Sequence, residues 1–332
     1  MTTTLTLPAG APGARILGLG SHLPARIVTN DEIAPRIDSS DNWITVRSGI
    51  AQRRFAAPEE SVVDMAVEAA AKAVADAGAD PGDVDLMVVA TCTHPLQLPG
   101  AAAEVASRIG ASAAGAVDVD AACAGFCYGL ANVADAVRSG SARLAVVVGV
   151  DRFSSILDLD DRSTAFLFGD GAGAAVVGPA DTPGIGPVAW GSDGSQRHLI
   201  AQWPEQDTAR SAVGLPFVRM EGPAVFRWAV TELADVARRA CELAGVTTDE
   251  LAAFVPHQAN LRIIDALVRS LKLPETVAVA RDVVDVGNTS AASVPLALTR
   301  LVESGEVPSG APALLLGFGA GLTYAAQVVL TP

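Results

Sequence analysis

Apolar and polar positions follow two alternating patterns along the chain. Short apolar runs of about four to eight residues are typical of buried strands, and longer segments with apolar residues three and four apart are typical of helices that cover a sheet. Such alternation predicts an α/β fold. Strands are predicted at Arg15–Pro24, Asp85–Thr91, Gly115–Val119, Leu144–Val150, the second part of Phe166–Gly178, Glu250–Pro256, Thr276–Ala280, Leu314–Gly321 and Thr323–Leu330.

The helices are indicated by their ends as well as by their periodicity. Ser61 can cap a helix, because Asp64 stands three residues later. Gly78 can end the same helix after Ala77. Further helices are predicted over Gly100–Ile109, from the turn at Cys123 to Gly140, over Pro223–Ala244, over Asn260–Leu271 and in the second part of Gly287–Gly305. Residues 1–13 are expected to form a loose tail, residues 29–55 a helix-and-loop region, and residues 184–218 give no clear assignment.

The predicted elements occur twice in the same order: helix, strand, helix, strand, turn, helix, strand, strand. Ala90 and Pro256 end the first strand of each series, 166 residues apart (256 − 90). The same separation relates Cys123 to Thr289, in the turns that follow the second strands (289 − 123). The repeat predicts two α/β halves, residues 1–178 and 179–332, with two sheets buried between helices and with equivalent turns that converge.

Composition narrows the class of protein. The chain has 332 residues, of which 50% are hydrophobic and 18% charged, and its formal net charge is −14. Nucleic-acid binding is not expected, because it needs a basic surface. No apolar run approaches the roughly 20 residues of a membrane span, and the N-terminus lacks a secretory signal pattern. The four cysteines show neither metal-ligand spacing nor the density of a disulfide framework. A cytoplasmic protein without a metal site is therefore expected.

The sequence GAVDVDAACAGFCYGL, residues 115–130, joins a short strand to a helix through a turn of small residues. Cys123 lies in this turn, at or next to the start of the helix. The unpaired N–H groups and partial positive charge of a helix N-terminus stabilise a thiolate, so a lowered pKa and a reactive sulfur are expected. Small neighbours leave room for a bulky substrate. A buried core cysteine fits the same segment, and the segment alone does not decide between the two.

Two further polar residues follow strands of the second half. His257, in PHQAN, ends a buried strand, and Asn288, in GNTSAAS, lies in the turn that the repeat relates to the Cys123 turn. Convergence would bring together a nucleophile, a base or hydrogen-bond donor, and a neutral amide donor. Gly319, in GFGAG, could add a backbone N–H beside the sulfur. Each residue also has a structural alternative: a core histidine, a turn asparagine and a flexible turn between strands.

Five motifs, AACAGF, GDGAGA, PHQANLRII, GNTSAASVP and GFGAG, occur in an order and spacing that resemble β-ketoacyl-acyl-carrier-protein synthase III of the thiolase superfamily. The resemblance runs from about Arg15 to the end of the chain. It implies a thiolase-like duplicated α-β-α-β-α layered fold. It implies that Cys123 accepts an acyl group and that His257 and Asn288 assist decarboxylation. The N–H groups of Cys123 and Gly319 would then form the oxyanion hole.

The same resemblance implies a tunnel for coenzyme A. Acyl-CoA would be a substrate, so no cofactor is expected. The residues implied at this tunnel are Trp43 and Arg162 at the adenine, Arg47 at a phosphate, and Phe226, Asn260 and Arg262 along the pantetheine. Candidates for a basic patch that docks the acidic, malonyl-loaded carrier protein are Arg227, Arg262 and Arg269, although solvated helix faces would look alike. A homodimer is also implied, in which Leu98 reaches the partner's acyl pocket, which Phe168 narrows.

Three departures from the family pattern concern the choice of substrate. Asp120 stands three residues before the nucleophile, where a small neutral residue is usual, and it would oppose a thiolate if it faced the sulfur. Asp285 and Val286 stand where an arginine and an aromatic or imidazole residue are common. Leu98 stands where a phenylalanine often closes the acyl pocket, so a starter somewhat longer than acetyl is expected.

The leading hypothesis is an enzyme that condenses a short acyl-CoA with malonyl-carrier protein, in fatty-acid initiation or in the priming of a polyketide. A second hypothesis is an acyltransferase of the same fold that works without condensation, and the presence of Asn288 argues against it. A third is a non-catalytic partner subunit of a synthase, and the presence of Cys123 argues against that. A degradative thiolase is disfavoured, because GFGAG contains no second cysteine.

Overall fold

Fourteen strands appear in the structure, a computed structural model that describes residues 8–203 and 216–332. The strands of the first half are β1 (Gly13–His22), β2 (Arg26–Thr29), β3 (Gln52–Phe55), β4 (Leu86–Ala90), β5 (Gly115–Val119), β6 (Ala145–Arg152) and β7 (Asp170–Ala180). Those that follow are β8 (Ala189–Ser192), β9 (Ile200–Trp203), β10 (Phe217–Met220), β11 (Ala253–Pro256), β12 (Ala278–Val279), β13 (Pro312–Gly319) and β14 (Thr323–Leu330).

The helices alternate with the strands. They are α1 (Asn30–Ile33), α2 (Asp41–Ser48), α3 (Val62–Asp76), α4 (Ala102–Ile109), α5 (Gly125–Ser139), α6 (Gly222–Ala244), α7 (Leu261–Leu271), α8 (Val283–Val286) and α9 (Ser293–Glu303). Ser61 caps α3, because its hydroxyl accepts the N–H of Asp64 while the Asp64 carboxylate accepts the N–H of Ser61.

Two five-stranded mixed sheets organise the chain. The first has the strand order β1-β7-β6-β4-β5 and the second the order β12-β11-β13-β14-β8. In the first sheet β4 runs parallel to β5 and β6, whereas β7 is antiparallel to β1 and β6. In the second sheet β11 runs parallel to β12 and β13, whereas β14 is antiparallel to β13 and β8. Strands β4 and β11 therefore occupy corresponding positions, each second from one edge of its sheet.

Helices α5 and α9 lie between the sheets. Their apolar side chains, such as Phe126, Leu130 and Leu298, share one core with strands of both sheets, and α5 is apolar around most of its circumference, as a helix buried on all sides must be. Helices α3 and α4 cover the outer face of the first sheet, and α6 and α7 the outer face of the second. The layers are α-β-α-β-α, so the expected α/β, thiolase-like fold is confirmed.

The long periodic segments match their expected positions, and the short elements do not. Strand β3 lies in the region expected to hold only helix and loop, residues 29–55, and its partner β2 ends where that region begins. Strands β8 and β9 lie in the stretch that gave no assignment, residues 184–218, and β10 begins at its end. Residues 1–7 of the expected tail and residues 204–215 of that stretch lie outside the described residues. The strands of the first sheet lie between residues 13 and 180 and those of the second between residues 189 and 330; the division of the chain at residue 178 remains a prediction.

The two halves meet through a pair of similar turns. Each begins with a non-glycine residue in the left-handed region, Ala122 with φ 47° and Ser290 with φ 53°, continues as one turn of 3-10 helix and leads into a central helix, α5 or α9. Such backbone conformations are costly for residues with a Cβ, so the surrounding structure must hold them in place. The carbonyl of Ala291, in the second turn, rests against Gly149 of β6, where a Cβ would overlap it.

This close approach gives a stability prediction. Gly149→Ala is expected to lower the free energy of unfolding by about 1–3 kcal/mol, because the added methyl group must push the Ser290–Ala292 turn away from β6. Urea unfolding measures the change. Gly194→Ala is the control, since a Cβ at Gly194 meets no atom within 4 Å. Equal stability of the two variants would contradict the assigned packing.

Candidate active site

One cavity of about 940 Å³ is lined by residues from both halves of the chain. Cys123, His257, Asn288 and Gly319 all lie on its wall. These four residues are far apart in sequence and follow four different elements. The convergence expected from the repeat is thus present in the structure. Other predicted site residues on the wall are Trp43, Arg47, Arg162, Phe168, Phe226, Arg227, Asn260 and Arg262.

Cys123 occupies the 3-10 turn directly before α5 and is 9% exposed. Burial raises the pKa of its thiol to about 12, and the hydroxyl of Ser290, 3.3 Å from Sγ, acts in the opposite direction and lowers the pKa. The pKa of Cys123 is therefore raised overall, whereas its position at the start of a helix predicted a lowered pKa. The reason is that removal of water destabilises the thiolate more than the nearby donors stabilise it.

His257 follows β11 and is 2% exposed. Burial lowers the pKa of its imidazole to about 3, so the ring is neutral at physiological pH. Its Nδ1 lies 2.6 Å from the hydroxyl of Ser293, and that hydroxyl also accepts the backbone N–H of Gln258 at 3.3 Å. A hydroxyl proton donated to Nδ1 would place the ring proton on Nε2, the nitrogen that the Ser293 contact leaves free. The edge of the ring packs on Phe318, with centroids 5.0 Å apart.

Asn288 is 6% exposed and its main chain is fixed by Leu167 and Gly169. Its N–H donates to the Leu167 carbonyl at 2.8 Å, and its carbonyl accepts the Gly169 N–H at 2.9 Å. The side-chain oxygen accepts the N–H of Ser290 at 2.9 Å. This contact assigns the amide orientation and leaves the Nδ2 hydrogens for a ligand in the cavity. Asn288 and His257 both line the cavity, so a ligand there can meet both side chains.

Gly319 ends β13 and lies directly against the nucleophile. A Cβ at this position would lie 2.8 Å from Cβ and 2.9 Å from the backbone nitrogen of Cys123. Only glycine allows this approach. The strand end is therefore placed where a backbone donor can serve an oxygen bound at the sulfur.

Asp120 has a geometric role that the sequence left open. Its Oδ1 accepts the N–H of Ala122 at 3.1 Å, in the same way that Asn288 accepts the N–H of Ser290. Asp120 is thus the counterpart of Asn288 in the other half. Its side chain is exposed, lines the cavity and is among the weaker causes that raise the pKa of Cys123.

The outer part of the cavity carries cations stacked on aromatic rings. The guanidinium carbon of Arg47 lies 4.3 Å from the centroid of Trp43, and that of Arg162 lies 4.9 Å from it. Arg262 lies 5.3 Å from the centroid of Phe226. Stacked arginines keep their N–H groups free for phosphate oxygens, and the aromatic faces suit a planar base.

Asn260 also has a structural function. Its side-chain oxygen accepts the N–H of Arg262 at 2.9 Å and so caps α7, and its amide donates to the carbonyl of Arg47 at 3.2 Å. It therefore connects α7 to α2. Any contact with a ligand would come in addition to these two hydrogen bonds.

Two of the predicted site residues do not line the cavity in the described part of the chain. Arg269 lies in the last turn of α7 and is exposed. Leu98 is 87% exposed, so within a single chain it closes no pocket. Phe168 does line the cavity and stacks on Phe153 at a centroid distance of 4.1 Å.

The remaining departures lie in α8, away from the nucleophile. Asp285 pairs with Arg300 at 3.2 Å, on the surface, and Val286 is buried. Neither residue lines the cavity in the described part of the chain. Asp285 thus takes part in a surface ion pair, and Val286 is part of the core.

Sequence reasoning missed the residues that orient the site. Ser290 contacts the sulfur, Ser293 holds the imidazole, and Asp151 lies buried behind the nucleophile. Both serines were visible in the motif GNTSAAS, whereas Asp151 carries no signal, because it stands at the end of an ordinary buried strand.

No group of three or more potential metal ligands occurs within residues 8–203 and 216–332. In the same residues, no helix is both long and apolar enough to cross a membrane.

The neutral state of His257 is testable by nitrogen NMR. The imidazole is expected to stay neutral from pH 8 to about pH 5, with its proton on Nε2, because burial disfavours the charged ring. His257→Asn identifies the signal. Ser293→Ala is expected to change the tautomer without charging the ring. A titration midpoint near the ordinary value of about 6.5 would contradict the assignment.

Two family models match the chain. Residues 117–194 match 3-oxoacyl-[acyl-carrier-protein] synthase III, and residues 241–331 match the C-terminal part of the same synthase. The chain is 52% identical to β-ketoacyl-[acyl-carrier-protein] synthase III 1 of Streptomyces coelicolor, over 97% of this chain and 98% of the relative. It is 48% identical to the mycobacterial β-ketoacyl-[acyl-carrier-protein] synthase III of Mycobacterium tuberculosis, over 99% of each.

Solved structures agree with these relatives. The priming β-ketosynthase of the R1128 polyketide biosynthetic pathway superposes with a TM-score of 0.97, at 51% identity over 99% of both chains. The 3-oxoacyl-(acyl carrier protein) synthase III of Pseudomonas aeruginosa superposes with a TM-score of 0.89, at 41% identity over 96% of this chain and 98% of the other. The protein therefore belongs to the β-ketoacyl-[acyl-carrier-protein] synthase III family, a family of acyltransferases with the thiolase-like fold.

Proposed function

We propose that this synthase takes an acyl group from a short acyl-CoA onto Cys123 and condenses it with malonyl-acyl carrier protein. One observation carries the proposal: the buried thiol of Cys123, the neutral imidazole of His257 and the neutral amide of Asn288 line one cavity. The thiol provides the covalent site and the donors stabilise a developing enolate. The same set would be poorly suited to general-base hydrolysis, because the imidazole resists protonation.

The first step is acyl transfer. The sulfur of Cys123 forms a bond to the thioester carbon, the bond from that carbon to the sulfur of CoA breaks, and CoA leaves. The backbone N–H groups of Cys123 and Gly319 hold the carbonyl oxygen while it carries negative charge. The close approach of Gly319 to Cys123 supports this role, since it leaves no side chain between them.

The second step is decarboxylation and condensation. The bond between the malonyl carboxylate and C2 breaks, carbon dioxide leaves, and the electron pair forms an enolate whose oxygen accepts hydrogen bonds from His257 and Asn288. C2 then attacks the acyl carbon, and the bond between that carbon and the sulfur of Cys123 breaks. Neither donor needs to accept a proton. The depressed pKa of His257 suits this role, because a neutral N–H donates without a competing titration.

We assign the outer cavity to coenzyme A. Trp43 and Arg162 would hold the adenine and Arg47 a phosphate, while Phe226, Asn260 and Arg262 would line the pantetheine path. Cations stacked on aromatic rings at the cavity wall support the assignment. No cofactor is needed, because acyl-CoA is consumed as a substrate.

The acidic carrier protein needs local positive charge, because the synthase itself has a net charge of −14. Arg227 and Arg262 are exposed where α6 and α7 border the cavity, and Arg269 extends the exposed face of α7. We assign carrier docking to these three arginines. Complementary charge of this kind steers association and is weakened by salt.

We propose that the enzyme acts as a cytoplasmic homodimer and that it binds neither nucleic acid nor a membrane. Strand β5 is an edge of the first sheet, Val117 on it is 48% exposed, and Leu96 nearby is 55% exposed. An exposed apolar edge strand is a template for pairing with another chain. A second copy would cover this edge, and the 87% exposed Leu98 would then reach the partner's acyl pocket. Both fatty-acid initiation and polyketide priming remain compatible with this chemistry.

The two steps can be separated by substitution. Acyl-CoA is expected to acylate wild type, His257→Ala and Asn288→Ala, and to leave Cys123→Ala unmodified. Release of carbon dioxide from malonyl-carrier protein should fall at least about 10²-fold in His257→Ala and Asn288→Ala, because the enolate loses a donor. Intact-protein mass and trapped carbon dioxide measure the two steps.

The control for this experiment is Cys92→Ala, which removes another thiol on the cavity wall and should acylate like wild type. An adduct mapped to Cys92 would contradict the nucleophile. Acyl transfer to a carrier protein without loss of carbon dioxide would favour the acyltransferase that works without condensation.

The acyl pocket gives a prediction about chain length. Leu98→Phe should shift the preference toward acetyl-CoA and Leu98→Ala toward longer chains, because the side chain closes the partner's pocket. Each methylene is worth about 0.8 kcal/mol, a several-fold change in kcat/KM. Propionyl-, butyryl- or isobutyryl-CoA should rival acetyl-CoA in wild type. Light scattering should give about twice the 33.7 kDa chain mass. A monomer, or profiles that do not move, would contradict the model.

A further inference from the structure

A fully buried carboxylate on β6 is not used in the steps described above. Asp151 is 0% exposed. Its Oδ1 accepts the hydroxyls of Thr91 at 3.1 Å and Thr93 at 2.8 Å. The same oxygen accepts the backbone N–H of Cys92 at 2.9 Å, and the thiol of Cys92 lies 3.6 Å from it. All of these donors belong to the loop after β4, so Oδ1 binds the first half of the chain.

The other oxygen of this carboxylate binds the second half. Oδ2 accepts the backbone N–H of Ala291 at 3.2 Å, in the 3-10 turn Ser290–Ala292. The carbonyl of Ala291 rests against Gly149, two residues before Asp151 on β6. Residues two apart in a strand point to the same face of a sheet. One face of β6 therefore meets both polar backbone groups of Ala291: Gly149 leaves room for the carbonyl, and Asp151 binds the N–H.

A carboxylate suits this position because it has two acceptor oxygens that point in different directions. A side-chain amide of the same size has one acceptor and one donor group. The donors named above are all neutral, and a buried carboxylate with neutral partners is costly to keep in the core. Burial raises the pKa of the Asp151 carboxyl, and the hydrogen bonds that it accepts act in the opposite direction. This cost indicates that the connection between the two halves is needed at this point.

The turn that Asp151 binds carries the contacts that reach the reacting groups. The N–H of Ser290 donates to the side-chain oxygen of Asn288 at 2.9 Å, and the hydroxyl of Ser290 lies 3.3 Å from Sγ of Cys123. The backbone of Ser290 has a φ of 53°, a costly conformation that the surroundings must hold in place. The hydrogen bond from the next residue, Ala291, to Asp151 is one of the contacts that hold it.

We propose that Asp151 is a positioning residue for decarboxylation and condensation: through Ala291 it holds the turn that orients the amide of Asn288 against the first half of the chain. The proposal rests on the proposed function, in which Asn288 stabilises the enolate. Cys123 stands on the first half, directly before α5, so its position depends less on this connection. Loss of the connection is therefore expected to slow decarboxylation more than acylation.

Asp151→Asn is the test variant, because it keeps the size of the side chain and removes one acceptor oxygen. The remaining oxygen can serve either the three donors of Thr91, Cys92 and Thr93 or the single N–H of Ala291. The first orientation is favoured, since it keeps more hydrogen bonds, and it turns the NH₂ group toward the N–H of Ala291. Two donors then face each other, and the connection to the turn is lost.

The two chemical steps are measured separately in the full-length protein. Intact-protein mass follows acylation by acyl-CoA, and trapped carbon dioxide follows one turnover of malonyl-carrier protein by enzyme that is already acylated. In Asp151→Asn the release of carbon dioxide should fall about 10²-fold, the scale of a misplacement of about 1 Å, while acylation should stay within about threefold. A residue that only stabilised the fold would change both rates by the same factor.

Hydrogen exchange gives a readout that does not depend on activity. The amide of Ala291 should exchange at least about tenfold faster in Asp151→Asn than in wild type, because its acceptor is gone, while the amide of Cys92 should keep its protection. Nitrogen NMR resolves the two amides. This measurement shows directly which side of the carboxylate the substitution has released.

Thr289→Val is the matched control in the same turn. It removes a buried hydroxyl that has no hydrogen-bond partner among the described residues and nearly conserves the volume of the side chain. Both chemical steps and the exchange of Ala291 should match wild type. Gly149→Ala is a second test, since the added methyl group displaces the turn without touching the carboxylate, and it should show the same selective loss of carbon dioxide release.

Three results would overturn the positioning function of Asp151. They are a fall of both steps by equal factors in Asp151→Asn, normal carbon dioxide release although the amide of Ala291 exchanges faster, and slow release although that amide stays protected. If Asp151→Asn does not fold, or if Ala291 keeps its acceptor and both steps are normal, Gly149→Ala decides by the same criteria. Wild type that takes no acyl group from any acyl-CoA would instead reject the proposed function, and hydrogen exchange would then decide whether Asp151 holds the turn.

Discussion

The packing of the two left-handed turns against each other is the constraint on which the site depends. Ala122 and Ser290 adopt costly backbone conformations, and each turn leads into a central helix that is buried between two sheets. The position of α5 and α9 therefore fixes the position of the turns, and the turns fix Cys123 and Asn288. Two glycines, Gly149 and Gly319, allow this contact, because they remove the Cβ atoms that would keep the halves apart. The packing of the core thus fixes the positions of the site residues.

Burial sets the electrostatic character of the chemistry. The thiol, the imidazole and the carboxyl of Asp151 are all shifted toward their neutral forms by desolvation. A neutral site stabilises charge only where donors are already oriented, and Ser290, Ser293 and the turn backbone supply that orientation. Under the proposed function, charge then develops on the substrate oxygen rather than on the protein.

The surface, unlike the neutral interior of the site, carries many charges. The chain is strongly acidic, yet exposed arginines border the cavity and stack on its aromatic rings. Local charge at short range outweighs net charge that is screened over about 8 Å at physiological salt. The free edge of β5 is a second distinctive surface region. Apolar side chains such as Val117 and Leu98 are exposed there, and their burial against another chain would be favourable. Under the proposed function, recognition of substrates and of a second copy falls on two separate regions of the surface.

The sequence by itself determined the class of fold, the long elements and the repeat, and it predicted which residues react. These follow from local signals: apolar runs, a capping box at Ser61, and motifs such as GNTSAAS that keep their meaning wherever the chain places them. The short paired strands β2 and β3 escaped prediction, because their pairing depends on a distant segment. Only the tertiary structure decided the pKa of Cys123, since the desolvation that raises it comes from elements remote in sequence and outweighs the local helix start. It also decided the orientation of His257, the position of the Asn288 backbone and the place of Asp151, because a hydrogen bond between residues far apart in the chain leaves no periodic trace in the sequence.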